Sequence, residues 1–124
     1  MGSVLFTLVP AMLKGWFDRV FTNGWAYDVT ESGVAGRLKD RPVNILALGA
    51  TDEAAYNRHG YEQSFKTQVE YGVFSYCGLK QVSTHVFFSV IDADYGGDPE
   101  IHLSRAAQLG ESFAKRVVGV KQVA

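Results

Sequence analysis

Hydrophobic and polar positions form alternating blocks along the chain, and these blocks predict three strands and three helices. Short apolar runs at residues 3–9, 43–49 and 82–91 are rich in β-branched or aromatic side chains, which is typical of strands. The middle run, VNILALG, is almost continuously apolar. It therefore predicts a strand that is covered on both faces.

The first helical pattern starts at Pro10, which suits a first helical turn because no amide hydrogen is needed there. Its apolar side chains recur at helical spacing: Leu13, Trp16, Phe17 and Val20. We interpret Trp16, Phe17 and Phe21 as core side chains on this basis. Asn23-Gly24 is expected to end the helix.

The remaining segments give a second and a third helix and one irregular excursion. Residues 50–63 form a polar loop, after which one helical face is made of Phe65, Val69, Val73 and Tyr76 and ends at Gly78. The last helix is capped by Asp98 and begins at Pro99. Its predicted sheet-facing side chains are Leu103, Ala106, Ala107, Gly110, Phe113, Ala114 and Val117.

Residues 28–42 show no regular spacing of apolar side chains and predict a surface excursion or a small irregular hairpin.

This order of strands and helices predicts an α/β fold. Parallel strands are joined by right-handed crossovers, with helices on both faces of the sheet. Ligands of such folds bind at the carboxyl ends of the strands. In this chain those ends lie at residues 9–10, 48–51 and 91–92.

Charge and composition limit the partners. The net charge is −1 and the twelve basic residues are scattered, so the pattern does not favour nucleic acid. Lys14, Asp18 and Arg19 interrupt the apolar opening too early for a membrane span. One cysteine, Cys77, allows no internal disulfide, which indicates a reducing compartment and a cytoplasmic location.

Metal and hydrolase chemistry are not indicated by the motifs. The three histidines have no cysteine or carboxylate at ligand spacing, so no metal site is predicted. Asp92, Asp94 and Asp98 surround Gly96-Gly97 but lack the terminal glutamate of a calcium loop, which favours a solvated turn. No nucleophile elbow is found.

Residues 10–27, PAMLKGWFDRVFTNGWAY, resemble the signature of the flavodoxin-like NAD(P)H:quinone oxidoreductases, a group that includes ancillary subunits of potassium-efflux systems. The similarity continues at residues 47–61, ALGATDEAAYNRHGY, and at residues 76–79. The resemblance implies a flavodoxin-like three-layer αβα sandwich with a parallel sheet. It covers essentially the whole chain to about residue 115.

The resemblance also implies a flavin enzyme. FMN, with FAD as a second possibility, would take a hydride from NAD(P)H and pass two electrons to a quinone, usually in a homodimer. The segments expected to contact the flavin ring are Leu5, Phe6, Thr7, Gly49, Ala50 and Thr51. Tyr56 matches the tyrosine that donates a hydrogen bond to the flavin or the hydride acceptor, and Trp25 and Tyr27 match the wall of the substrate pocket. Where some quinone reductases carry a catalytic histidine, this chain has Glu62, three positions after His59.

Members of the family begin with a phosphate-binding loop and two strand-helix units ahead of the segment that opens this chain. We therefore expect a domain lacking those units, with residues 3–9 as an exposed edge that pairs with another chain or promotes misfolding. A wrongly started reading frame is a further option. Two functions stay open: an FMN-dependent quinone reductase, and a non-enzymatic regulatory or binding subunit of the same fold without retained flavin.

Overall fold

A computed structural model describes residues 9–90 and 98–123. The helices and strands follow one another as α1 (Ala11–Val20), β1 (Tyr27–Thr30), β2 (Gly33–Gly36), β3 (Val43–Leu48), α2 (Glu53–His59), α3 (Tyr61–Lys66), a π-helical segment (Thr67–Ser75), β4 (Val82–Phe87) and α4 (Pro99–Val123). The strand predicted at residues 3–9 lies outside the described residues except for its last position. The loop at residues 91–97 also lies outside them.

β3 and β4 form a parallel pair, in register from Val43 opposite Val82 to Leu48 opposite Phe87. The α2, α3 and π-helical segments cross over between them. The predicted α/β class with a parallel sheet is confirmed. β4 ends at Phe87, earlier than the run at 82–91 predicted, because Ser89 leaves the extended conformation with φ 54°.

Side chains alternate between the two faces of this sheet, as the period of a strand requires. Ala47 and Val86 face the crossover and form a small core with Tyr56, against which Tyr61, Phe65 and Phe88 pack. The opposite face meets α4. There the Arg105 guanidinium donates to the Val86 carbonyl oxygen at 3.0 Å, and Arg116 donates to the Asn44 side-chain oxygen at 2.6 Å.

The α4 face of the sheet keeps an open apolar groove. Leu46 and Leu48 are each 52% exposed, so the prediction that β3 is covered on both faces is wrong for the described residues. The groove has a volume of about 390 Å³. Its lining residues are Leu46, Leu48, Phe87, Val90, Pro99, His102, Leu103 and Ala106.

Residues 50–63 are largely helical, so the prediction of a polar loop there is wrong. The Asp52 carboxylate accepts the Ala55 amide at 2.7 Å and caps α2. The small and acidic residues that suggested a loop are therefore an N-cap followed by good helix formers. Gly60, with φ 66°, ends α2, and α3 starts immediately afterwards.

The second predicted helix is wider than a uniform α-helix because its last two turns form the π-helical segment. Val69 lies in the interior as predicted, whereas Tyr76 is exposed. Gly78, with φ 103°, turns the chain after the segment as expected. Next to it, the Cys77 carbonyl accepts the Leu38 amide at 2.9 Å and ties the segment to the chain that follows β2.

Helix α1 attaches through aromatic side chains. Phe17 is 5% exposed and its ring meets the edge of Phe74, with centroids 5.7 Å apart. Trp16 is 50% exposed, so its assignment to the core is wrong. Its ring touches Phe17 and Phe21 from the outer side of the cluster.

Residues 28–42 contain the hairpin that the sequence left as one option. β1 and β2 pair antiparallel, and the Arg37 guanidinium donates to the Gly24 carbonyl at 2.7 Å and contacts Asp28.

At α4 the Asp98 carboxylate caps the Glu100 amide as predicted. The half-buried face of α4 consists of His102, Ala106, Leu109, Phe113 and Val117. The predicted face was partly wrong because Leu103, Ala107, Gly110 and Ala114 are exposed.

Candidate functional site

Residues 49–51 follow β3 at the carboxyl edge of the sheet and are fixed by the chain that follows β4. The Gly49 amide donates to the Phe87 carbonyl at 2.7 Å. The amides of Ser89 and Val90 donate back to the carbonyls of Thr51 and Gly49, at 3.1 and 3.2 Å. The loop is therefore a rigid continuation of the sheet at the edge where ligands of parallel α/β folds bind.

Tyr56 lies on α2 with its ring against this loop. A Cβ atom placed on Gly49 would be 2.9 Å from the Tyr56 hydroxyl oxygen, closer than non-bonded atoms approach. The ring is edge-on to Tyr61 and Phe88 at centroid distances of 5.7 and 5.1 Å. This packing fixes the direction of the phenol.

The Tyr56 hydroxyl is a candidate hydrogen-bond donor. Burial raises the pKa of this phenol above its ordinary value of 10.0, so the group keeps its proton at neutral pH. Within residues 9–90 and 98–119, no hydrogen bond from this hydroxyl is found. The protonated hydroxyl can therefore donate to an acceptor atom of a bound ligand.

The structure thus brings together four of the predicted site residues: Gly49, Ala50, Thr51 and Tyr56. Gly49 is buried, Ala50 is half-buried and Thr51 is exposed, so the loop passes from the core to the surface. Leu5, Phe6 and Thr7 lie outside the described residues. Their proposed contact with the flavin ring stays a prediction.

Trp25 and Tyr27 lie in a second, aromatic region. Trp25 stacks on Phe21 with centroids 6.2 Å apart, and Tyr27 meets Tyr76 at 5.0 Å. Tyr27 lines a pocket of about 220 Å³ between α1 and the π-helical segment, with Phe17, Asp18, Phe21, Gly72, Val73, Tyr76 and Cys77. No ring contact or hydrogen bond among the described residues joins this pocket to Gly49 or Tyr56, so their shared role also stays a prediction.

Glu62 stands where some quinone reductases carry a catalytic histidine, and His59 lies three positions before it. Both side chains contact near neighbours in the sequence. Glu62 accepts a hydrogen bond from the Lys66 ammonium at 2.6 Å, one helical turn further on. His59 stacks on Tyr61 with centroids 5.1 Å apart. Neither side chain has a described contact with the loop at residues 49–51.

The described part of the chain shows neither a metal cluster nor a helix that could span a membrane. There, no cluster of three or more His, Cys, Asp or Glu side chains is arranged to hold a metal ion. Within residues 9–90 and 98–123, no helix combines the length and apolar character that a membrane crossing requires.

A planar ring such as isoalloxazine fits the observed features of this edge. The Tyr56 phenol occupies the space that a side chain on Gly49 would fill, so it lies against the loop, and no hydrogen bond from its hydroxyl to a described residue is found. Ser89 and Val90 belong to the same site because they hold the loop, although sequence reasoning did not select them. Nothing in the run VFFSVI marks either residue locally, since the contacts form only when β3 and β4 pair.

Known proteins that resemble this chain are flavodoxin-like proteins and quinone oxidoreductases. A family model described as "Flavodoxin-like fold" matches residues 5–109. The ribosyldihydronicotinamide dehydrogenase [quinone] of Mus musculus is 31% identical over an alignment of 111 positions that covers 86% of this chain and 47% of that protein. The corresponding protein of Rattus norvegicus is 34% identical over 84 residues. That alignment covers 36% of the rat protein.

A solved structure, the NAD(P)H:quinone oxidoreductase from Methanothermobacter marburgensis, superimposes with a TM-score of 0.72 at 30% identity. The match covers 86% of this chain and 53% of that protein. The chain therefore spans about half, or less than half, of the length of each of these relatives. The family model covers most of the chain and the architecture agrees with it. The chain therefore belongs to the flavodoxin-like family, the group in which these quinone oxidoreductases are found.

Proposed function

We propose that this chain holds the ring of a flavin, FMN rather than FAD, against residues 49–51 and takes part in NAD(P)H-dependent reduction of quinones. The observation that carries the proposal is the contact between Tyr56 and Gly49 at the carboxyl edge of the parallel pair. The names of the relatives in mouse, rat and Methanothermobacter support the choice of reaction.

Each part of the chain has a defined role in this proposal. Gly49, Ala50 and Thr51 hold one edge of the ring, and Leu5, Phe6 and Thr7 contact it as the resemblance implies. Trp25 and Tyr27 form the wall of the quinone pocket. A bound flavin would accept a hydride from NAD(P)H and deliver two electrons to the quinone.

Tyr56 is proposed to donate a hydrogen bond to the ring or to the acceptor where negative charge develops. Such a donor stabilises a transition state if it is held in place before the reaction. The packing of Tyr56 against Tyr61 and Phe88 supplies that rigidity. Its raised pKa keeps the proton on the oxygen at neutral pH.

A homodimer in the cytoplasm completes the proposal. The aromatic rings on and after α1 support self-association, because Trp16 and Trp25 are both more than one-third exposed at the border of one ring cluster. Exposed apolar surface of this kind is typical of protein–protein contacts. Sedimentation of the purified protein at micromolar concentration would distinguish a dimer from a monomer.

The test combines binding and turnover. FMN fluorescence is titrated with purified protein, and NAD(P)H oxidation is followed with a soluble naphthoquinone. We expect quenching of FMN and quinone-dependent oxidation. Protein that leaves both signals unchanged contradicts the proposal.

Tyr56→Phe removes the hydroxyl but keeps the packed ring, so it tests the hydrogen-bond donor alone. We expect kcat/KM to fall roughly tenfold or more, because one positioned donor is lost, while FMN affinity changes little. Tyr71→Phe removes the hydroxyl of an exposed tyrosine on the π-helical segment and is the matched control. Equal activity in both variants would refute the role of Tyr56.

A further inference from the structure

The segment after β4 makes an unusual pair of contacts with the loop after β3. Two successive amides, those of Ser89 and Val90, donate to carbonyls of the same loop, at Thr51 and Gly49. In an extended strand, successive amides point to opposite sides. The residue between the two peptide planes must therefore leave the extended conformation.

Ser89 is that residue, and its backbone has φ 54°. Among residues 9–90 and 98–123 it is the one non-glycine position with a positive φ. The left-handed region is unfavourable for residues with a side chain. Such strain persists where the surrounding structure requires it, and it is concentrated at functional sites.

The contacts have a geometric consequence for the loop. In a trans peptide the carbonyl and the following amide point in opposite directions, and the described residues contain no cis peptide. Since the Gly49 and Thr51 carbonyls face Val90 and Ser89, the Ala50 and Asp52 amides point away from that segment. No backbone hydrogen bond from the Ala50 amide to a described residue is found.

We propose that Ser89 is a positioning residue for the ring-binding loop. Its left-handed backbone lets Ser89 and Val90 hold both loop carbonyls and thereby directs the amides of Ala50 and Asp52 towards acceptor atoms of the ligand. The choice of a flavin ring as that ligand rests on the proposed function. The role belongs to the backbone of Ser89, and its hydroxyl is not required.

A series of substitutions at this position tests the proposal. Ser89→Gly adopts the left-handed backbone without strain, and Ser89→Ala keeps the Cβ atom but removes the hydroxyl. Ser89→Val places a β-branched side chain where positive φ is most unfavourable. Ser104→Val, on an exposed position of α4, is the matched control.

The first measurement needs no flavin. Amide hydrogen exchange at Val90 is followed by NMR in each folded variant, with circular dichroism as the check on folding. We expect exchange in Ser89→Val to be about tenfold faster than in the wild type, and exchange in Ser89→Gly, Ser89→Ala and Ser104→Val to match the wild type. Equal protection in every variant overturns the inference.

The second measurement is an FMN titration followed by the visible flavin bands. Ser89→Val should weaken FMN binding about tenfold or more and alter the band shape, and Ser89→Gly should restore both. If Ser89→Val does not fold, Ser89→Thr provides a smaller β-branched side chain with the same expected direction. A wild type that binds no FMN contradicts the proposed function alone, because the exchange result stands without flavin. Unchanged FMN binding in the β-branched variant overturns the positioning role.

Discussion

The hydroxyl of Tyr56 lies in the space where a side chain on Gly49 would begin, since a Cβ atom there would be 2.9 Å from the oxygen. The two residues are seven positions apart and belong to different structural elements. Asp52 makes the contact possible because its carboxylate caps α2 and starts the helix immediately after the loop. The first turns of α2 then carry Tyr56 back over the end of β3.

Gly49→Ala should displace the Tyr56 phenol and impair ligand binding more than folding. The added methyl would meet the hydroxyl and the ring of Tyr56, which must then shift against its packing on Tyr61 and Phe88. We expect a loss of stability of about 1–2 kcal/mol and a clear change in the NMR shifts of the Tyr56 ring. Gly110→Ala, with open space around the added atom, should be neutral or stabilising. An unchanged Tyr56 signal in Gly49→Ala would contradict the observed contact.

Phe17 and Trp16 should differ sharply in their contribution to stability, although they are adjacent in sequence. Phe17→Ala removes a buried ring that contacts Phe21 and Phe74, and we expect a loss of about 3–5 kcal/mol. Trp16→Ala removes a half-exposed ring and should cost about 1–2 kcal/mol. Urea unfolding at a single temperature measures both. Similar costs for the two variants would be incompatible with the packing of α1.

His85 should make the folded state sensitive to mild acid. Burial, followed by the positive charges of Arg105, Arg116 and Lys66, lowers the His85 pKa below its ordinary value of 6.5, whereas Glu70 acts in the opposite direction. The unfolded chain therefore binds this proton more readily. The stabilising contribution is complete above about pH 6.5 and is lost as pH falls through the folded pKa.

The pH dependence can be measured by urea unfolding between mildly acidic and neutral pH. The decline in the free energy of unfolding on acidification should be smaller in His85→Gln than in the wild type. His102→Gln is the control, because it leaves His85 in place. A wild-type slope retained in His85→Gln would assign the pH dependence to other groups.

Cys77 should react slowly with thiol reagents in the native protein. Its side chain is 2% exposed, and burial raises the pKa of the thiol, so little thiolate is available to attack. Cys77 is the single cysteine of the chain. An aromatic disulfide reagent should therefore release one equivalent of its coloured thiolate, slowly in the native protein and immediately in urea. Rapid reaction without denaturant would show that the turn before Gly78 opens readily.

The parallel pair and the starts of α1 and α4 could be predicted from the sequence because they depend on local patterns. The apolar runs gave β3 and β4, and Pro10 and Pro99 marked the beginnings of α1 and α4. The π-helical segment was not predictable, because the apolar spacing of Val69 and Val73 fits an α-helix equally well. The partial exposure of Trp16 depends on which neighbours cover α1, and periodicity does not contain that information.

For the candidate site, the resemblance selected Gly49 and Tyr56, but their contact required three-dimensional geometry. The loop predicted at residues 50–63 hid the capping role of Asp52, although the Asp-Glu-Ala-Ala order is a recognisable helix start. Ser89 could not be selected, because a left-handed backbone at serine has no local sequence signal. It arises from pairing between segments that are about forty residues apart.

The open groove beside Leu46 and Leu48 has a practical consequence for work with the purified chain. Reporter dyes used in thermal melting assays brighten on contact with apolar surface, and the groove offers such surface before any unfolding. A bright signal at low temperature would then coexist with intact secondary structure. Melting of this chain is better followed by circular dichroism, and a low starting dye signal would indicate that another polypeptide segment or a detergent has filled the groove.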